Sequence, residues 1–146
     1  MKNVIIYTDG GSRGNPGPSG VGIVFCNEKG EAIKKYSEGL GEATNNEAEY
    51  QAVIFAMEKF KLVFGKKIAK ASEIEFRSDS QLLIRQLNGE YKVLDEKIQK
   101  LFLEVWNLKL DFKKVKFKLI PREKNKEADS LANEAMDSQK RTRTLI

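Results

Sequence analysis

The sequence predicts an α/β domain: a mixed sheet whose first three strands form an antiparallel meander, with parallel crossovers after them and helices on both faces. Two observations carry this. Three strand-like runs come first, and only then does the pattern become helix, strand, helices, strand, helix. The chain is 146 residues long, 40% hydrophobic and 32% charged, which suits one ordinary domain with a real core.

Each element has its own signal. Residues 4–8, Val-Ile-Ile-Tyr-Thr, are the short apolar run of a central strand covered on both faces, ending at Asp9. Residues 10–20 are so rich in Gly and Pro that they predict a loop. A second strand is expected over residues 20–27 and a third over 32–40, around a turn at residues 28–30. Thr44, Asn45 and Asn46 offer N-cap chemistry for a helix reaching about Phe64, with Ala52, Val53, Ala56, Met57, Phe60 and Val63 at helical spacing. Residues 66–72 read as a basic linker, and residues 73–78 as a strand running into Asp79. A short helix over residues 80–87 stops at Asn88-Gly89. Leu94, Ile98, Leu101, Val105 and Leu108 mark a longer amphipathic helix, whose stripe, with Trp106, reads as core. A last strand spans residues 115–120, and Asn125 is expected to cap a final helix carrying Ala128, Leu131, Ala132, Ala135 and Met136.

Composition excludes whole classes of chemistry. With no histidine, a Ser-His-Asp or Cys-His nucleophile system and a His-ligated zinc site are ruled out. The single cysteine, Cys26, lies in an apolar run and reads as a buried structural thiol in a reducing compartment. The opening residues predict neither signal peptide nor membrane span, and so a soluble, cytoplasmic protein. Net charge is +5, which suits a polyanionic partner, but Lys140, Arg141 and Arg143 contribute three of those charges. The expected organisation is therefore a nearly balanced body, residues 1–137, and a basic tail, residues 138–146, frayed or docked as a strand or nucleic-acid arm. Lys109, Lys113, Lys114, Lys116 and Lys118 read equally as a nucleic-acid-binding patch or a solvated face.

Four acids stand out by position. Asp9 and Asp79 fall at strand carboxyl ends, where α/β sheets place their sites. Glu49 shares the buried stripe of its helix, and Asp129 lies at the edge of the last helix's apolar face. Singly each has an ordinary reading: a turn residue, a first-turn acid, an N-cap, a partner for Lys126. Converging, they would be costly unless a cation offset their charge. Oxygen ligands alone point to Mg2+, Mn2+ or Ca2+. Four carboxylates can hold two Mg2+ about 3.5–4 Å apart, a spacing suited to in-line phosphoryl transfer.

The surrounding motifs carry a resemblance. Residues 7–18, YTDGGSRGNPGP, resemble the opening signature of type 1 ribonuclease H; residues 44–49, TNNEAE, its second motif; residues 78–81, SDSQ, its third; and residues 125–132, NKEADSLA, its fourth. The resemblance implies a five-stranded ribonuclease H-like fold. It also implies hydrolysis of the RNA strand of RNA–DNA hybrids by two metal ions, Mg2+ with Mn2+ as a substitute, leaving 5′-phosphate and 3′-hydroxyl ends. By position, Asp9 would bridge both ions, Glu49 and Asp79 would complete one site, and Asp129 the other. Gly10, Gly11, Asn15, Thr44, Asn45, Asn46, Ser80 and Gln81 match the hybrid-contacting region, whose 2′-hydroxyls distinguish RNA from DNA. Three departures follow. The loop before the last helix lacks the family's histidine and resembles a histidine-free, archaeal-like branch, leaving either Arg122 or Glu123 as a substitute or a slower turnover; a basic, Trp-rich protrusion is absent; and Glu42 stands where relatives often place an arginine. Double-stranded RNA thereby stays open as a second substrate. A catalytically silent hybrid- or RNA-binding module and a related polynucleotidyl transferase are the rival readings, and a monomer is the default.

Overall fold

The computed structural model describes residues 3–145, with side chains described over residues 3–138. Strands β1 (Asn3–Ser12), β2 (Gly17–Cys26) and β3 (Ala32–Ala43) form the expected meander. Strands β4 (Glu73–Ser78) and β5 (Lys114–Leu119) extend it in parallel, giving one mixed sheet of order β3-β2-β1-β4-β5. The helices are α1 (Asn45–Phe64), α2 (Lys66–Lys70), α3 (Gln81–Leu87), α4 (Glu96–Leu108) and α5 (Lys126–Leu145).

Glycines show how closely the helices approach. A Cβ on Gly10 would lie 2.2 Å from the Ala48 carbonyl oxygen of α1, and one on Gly11 would meet Met136 of α5 at 3.1 Å. Consecutive strand residues point to opposite faces, so α1 and α5 cover opposite faces of the sheet. On the α1 face the core is aromatic: Phe25, Phe60 and Phe112 meet edge-to-face or tilted, and Phe76 stacks on Phe117. On the other face α5 lies almost on the backbone of β2, since a Cβ on Gly22 would sit 2.0 Å from the Ala128 carbonyl oxygen.

That close packing corrects the expected loop over residues 10–20. β1 continues to Ser12 and β2 begins at Gly17, with Gly10 opposite Val21 and Gly11 opposite Gly20, so only residues 13–16 turn. Gly10, Gly11 and Gly20 mark helix contact, and only Gly14 and Gly17 serve the chain reversal. The basic stretch after α1 contains α2 instead of being wholly linker. Leu94 is 79% exposed and precedes α4, which Asp95 caps through the Lys97 and Ile98 N–H groups. Trp106 is not core: it is 41% exposed, stacked on Phe102, with the Lys109 ammonium 3.6 Å from its ring centroid. Cys26 is buried and free, as expected. The backbone of α5 is helical through Leu145, across the boundary expected after residue 137; the side chains of Lys140, Arg141 and Arg143 lie outside those described. No helix among the described residues is long and apolar enough to cross a membrane.

Candidate active site

β1 and β4 run parallel only as far as the pair Tyr7 and Arg77. Beyond it β1 stays paired to β2, while β4 ends at Ser78. Asp9 and Asp79 emerge where the two strands part, the position at which open α/β sheets form a crevice. Asp9 is thus inside a strand, not at its end. Glu49 comes from the second turn of α1, whose start is fixed by a capping box: the Glu47 N–H donates to Thr44 Oγ1 and the Thr44 N–H donates to Glu47 Oε1. Asp129 comes from the first turn of α5, set down by the Ala128 and Ala132 contacts on β2.

All four carboxylates line one cavity of about 310 Å³, with Gly10, Gly11, Ser12, Arg13, Asn45, Arg122, Asn133 and Met136. Three of them have one oxygen tied to the protein. Glu49 Oε1 accepts from the Gly10 N–H at 2.9 Å, Asp79 Oδ1 from Asn125 Nδ2 at 2.9 Å, and Asp129 Oδ2 from Asn133 Nδ2 at 3.3 Å. Asp9 shares a hydrogen bond with Asp129. Burial, then the Asp79 charge and the Asp129 contact, push the Asp9 carboxyl up to about 8. Glu49 is raised well above the usual carboxylate range by burial and then by Asp9, with the Gly10 N–H opposing. These are carboxyl groups crowded together and shielded from water, the condition a divalent cation relieves. The donors are all hard oxygens, so the set fits Mg2+-type ions. Among the described residues no three acids are yet gathered around one point.

The expected substrate residues divide. Gly10, Gly11 and Asn45 line the cavity, as does Arg122; Glu123 is exposed and does not. Asn15 and Thr44 act behind it: the Asn45 N–H donates to Asn15 Oδ1 at 3.0 Å, and Thr44 caps α1. Asn45 Oδ1 accepts from the Ser12 N–H at 2.9 Å, bracing the β1–β2 turn against α1. Asn46 Oδ1 is buried with no partner among the described residues. Ser80 caps α3 and also hydrogen-bonds Glu49, while Gln81 is exposed at the start of α3. Sequence reasoning missed the roles of Asn125, Asn133 and Arg13. Asn125 had been assigned an ordinary cap, and only the i, i+4 spacing of Asp129 and Asn133 offered a signal.

Comparison with known proteins gives the same answer as the geometry. Residues 7–135 match the family model described as reverse transcriptase-like. An LC11 ribonuclease H1 isolated from compost superposes with a TM-score of 0.88 at 46% identity, over 95% of this chain and 99% of that one. The chain belongs to the type 1 ribonuclease H family. The ribonuclease H1 of the halophilic archaeon Halobacterium salinarum is 39% identical with a TM-score of 0.85, over 93% of this chain and 98% of that one. The bifunctional protein Rv2228c of Mycobacterium tuberculosis is 36% identical over 92% of this chain but only 36% of its own length. The chain thus spans about a third of the first curated relatives it matches. Metal dependence is general to the family.

Proposed function

We propose that the chain is an endoribonuclease hydrolysing the RNA strand of RNA–DNA hybrids, with two Mg2+ ions, or Mn2+ in their place, held by Asp9, Glu49, Asp79 and Asp129. The observation that carries this is the convergence of those carboxylates in one cavity, three with an oxygen tethered by a protein donor. A relative 45% identical has been solved in complex with an RNA/DNA hybrid, which supports the choice of substrate.

The tethers hold one oxygen each of Glu49, Asp79 and Asp129, and Asp9 between them can serve both ion positions. When bound, the cations would acidify the attacking water and neutralise charge on the leaving 3′-oxygen. The P–O3′ bond breaks in line with that attack, leaving a 5′-phosphate and a 3′-hydroxyl. Gly10 and Gly11 let a ribose approach the backbone. Asn45, its Oδ1 already engaged by Ser12, presents its Nδ2 to substrate. Arg122, which lines the cavity, would meet a phosphate or the departing product; Glu123 is not among the lining residues. Residues 1–137 carry this activity, and a monomer suffices for it.

Matched RNA–DNA, RNA–RNA and DNA–DNA duplexes incubated with Mg2+, Mn2+ or EDTA test the reading. The expected result is cleavage of the hybrid's RNA strand, stopped by EDTA. Binding of the hybrid without cleavage in either ion would overturn it in favour of a silent module. Cutting of RNA–RNA duplex would widen the substrate class.

A further inference from the structure

We infer that Asn125 is a positioning residue that sets the Asp79 carboxylate for cation binding and ties three of the four acidic positions into one frame. This rests on reading the cavity as a divalent-cation centre. Asn125 is 2% exposed, between the short 3-10 turn at Arg122–Lys124 and α5. Its Nδ2 donates two hydrogen bonds, to the Thr8 carbonyl oxygen at 2.9 Å and to Asp79 Oδ1 at 2.9 Å. Both partners only accept, so the amide can face them in one orientation alone. Its own carbonyl accepts the Asp129 N–H at 3.1 Å. One residue therefore holds the side chain of Asp79, the peptide preceding Asp9 and the backbone of Asp129.

The amide pays for this orientation. Asn125 Oδ1 is buried with no partner among the described residues, an unfavourable state for an acceptor. A side chain selected only to cap α5 would not reach across to β1 and β4. What the orientation achieves is chemical: with Oδ1 of Asp79 held, its Oδ2 is the oxygen free to face the cavity. A carboxylate prevented from rotating loses less freedom on binding an ion, and hydrogen-bond partners of ligands typically tune metal affinity.

The test uses the full chain with Mg2+ alone and Mn2+ alone in titration calorimetry. Asn125→Leu keeps approximate size but cannot donate, and Asn125→Ala removes the side chain. Each is expected to weaken ion binding roughly 10- to 100-fold while hybrid affinity in EDTA stays within about twofold. The ion concentration giving half-maximal cleavage should rise by the same factor, and saturating ion should recover much of kcat. In the wild-type chain, the Asn125 side-chain amide NMR signal should move along the Mg2+ titration, a readout that needs no variant to fold. Unchanged ion affinity in the variants, or a stationary amide signal, overturns the inference. Failure of the wild-type chain to bind either ion refutes the cation-centre reading itself, so the two failures are distinguishable.

Discussion

At Asp9 an acid sits 9% exposed inside a strand, facing two further acids, and its proton is correspondingly hard to remove. The sign of the consequence is opposite to that of a salt-bridged carboxylate. Asp9 is raised to about 8 in the native chain against 3.8 unfolded. Between those values the native state holds a proton that the unfolded state has released. The Asp9 contribution to stability in EDTA is therefore fully present below the unfolded value and is lost as pH rises through about 8, with Glu49 adding in the same direction. Urea midpoints in EDTA should be higher at pH 6 than at pH 8.5, and Mg2+ should narrow the gap. Asp9→Asn should flatten the profile and raise the pH 8.5 midpoint while abolishing cleavage. A variant less stable than wild type at pH 8.5 would contradict the account of Asp9. The four acids were legible in the sequence because each occupied a place where a carboxylate is costly. Asn125 was not, because an asparagine before a helix already has an ordinary explanation.

The elements that carry the acids are held by backbone contact as much as by side chains. Gly22 lets α5 descend onto β2, and a Cβ there would meet the Ala128 carbonyl at 2.0 Å and the Ala132 nitrogen at 2.7 Å, neither of which can swing aside. Gly22→Ala should push α5 outward, cost about 1–3 kcal/mol in thermal or urea unfolding, and withdraw Asp129. Its cleavage rate should then fall even where the variant is fully folded. Gly30→Ala is the control. With φ of 85° and nothing within 4 Å of its Cβ, it should cost about 1–2 kcal/mol by backbone strain and leave kcat unchanged. Thr44→Ala removes one half of the capping box that starts α1 and should cost about 1 kcal/mol by the same unfolding measurement. The helix start at Thr44 was readable because capping is local chemistry written in adjacent residues, whereas the cap of α3 is Ser80 and not Asp79. The β1–β2 boundary was not: glycines that admit a distant helix look the same in sequence as glycines that turn a chain. Trp106 was misjudged for a related reason, since helical spacing identifies a stripe but not how far around it the facing helix α1 covers.

Over the whole molecule, an acidic cavity serves a polyanion on a chain of net charge +5, so where the positive charge lies decides binding. The register of β4 and β5 sorts the lysine run that the sequence left ambiguous. Lys114 lies opposite Glu73 and Lys116 opposite Glu75, so each has an acid beside it on the neighbouring strand. Lys118 lies opposite Arg77, whose guanidinium is already engaged by Glu75 at 2.7 Å, so no acid faces Lys118 across the strands. It is also nearest the strand end from which Asp79 emerges. A phosphate held there would displace its own counterion, whereas one beside Lys114 would compete with Glu73. Lys118→Gln should therefore weaken hybrid binding and lower the slope of log affinity against log salt by about 0.9, the contribution of one phosphate contact. Lys114→Gln should leave both nearly unchanged. Equal effects of the two substitutions in fluorescence anisotropy across a salt series would show that the run acts as a diffuse field and not through Lys118. A larger effect from Lys114 would move the nucleic acid towards the opposite end of the strand, away from the carboxylates.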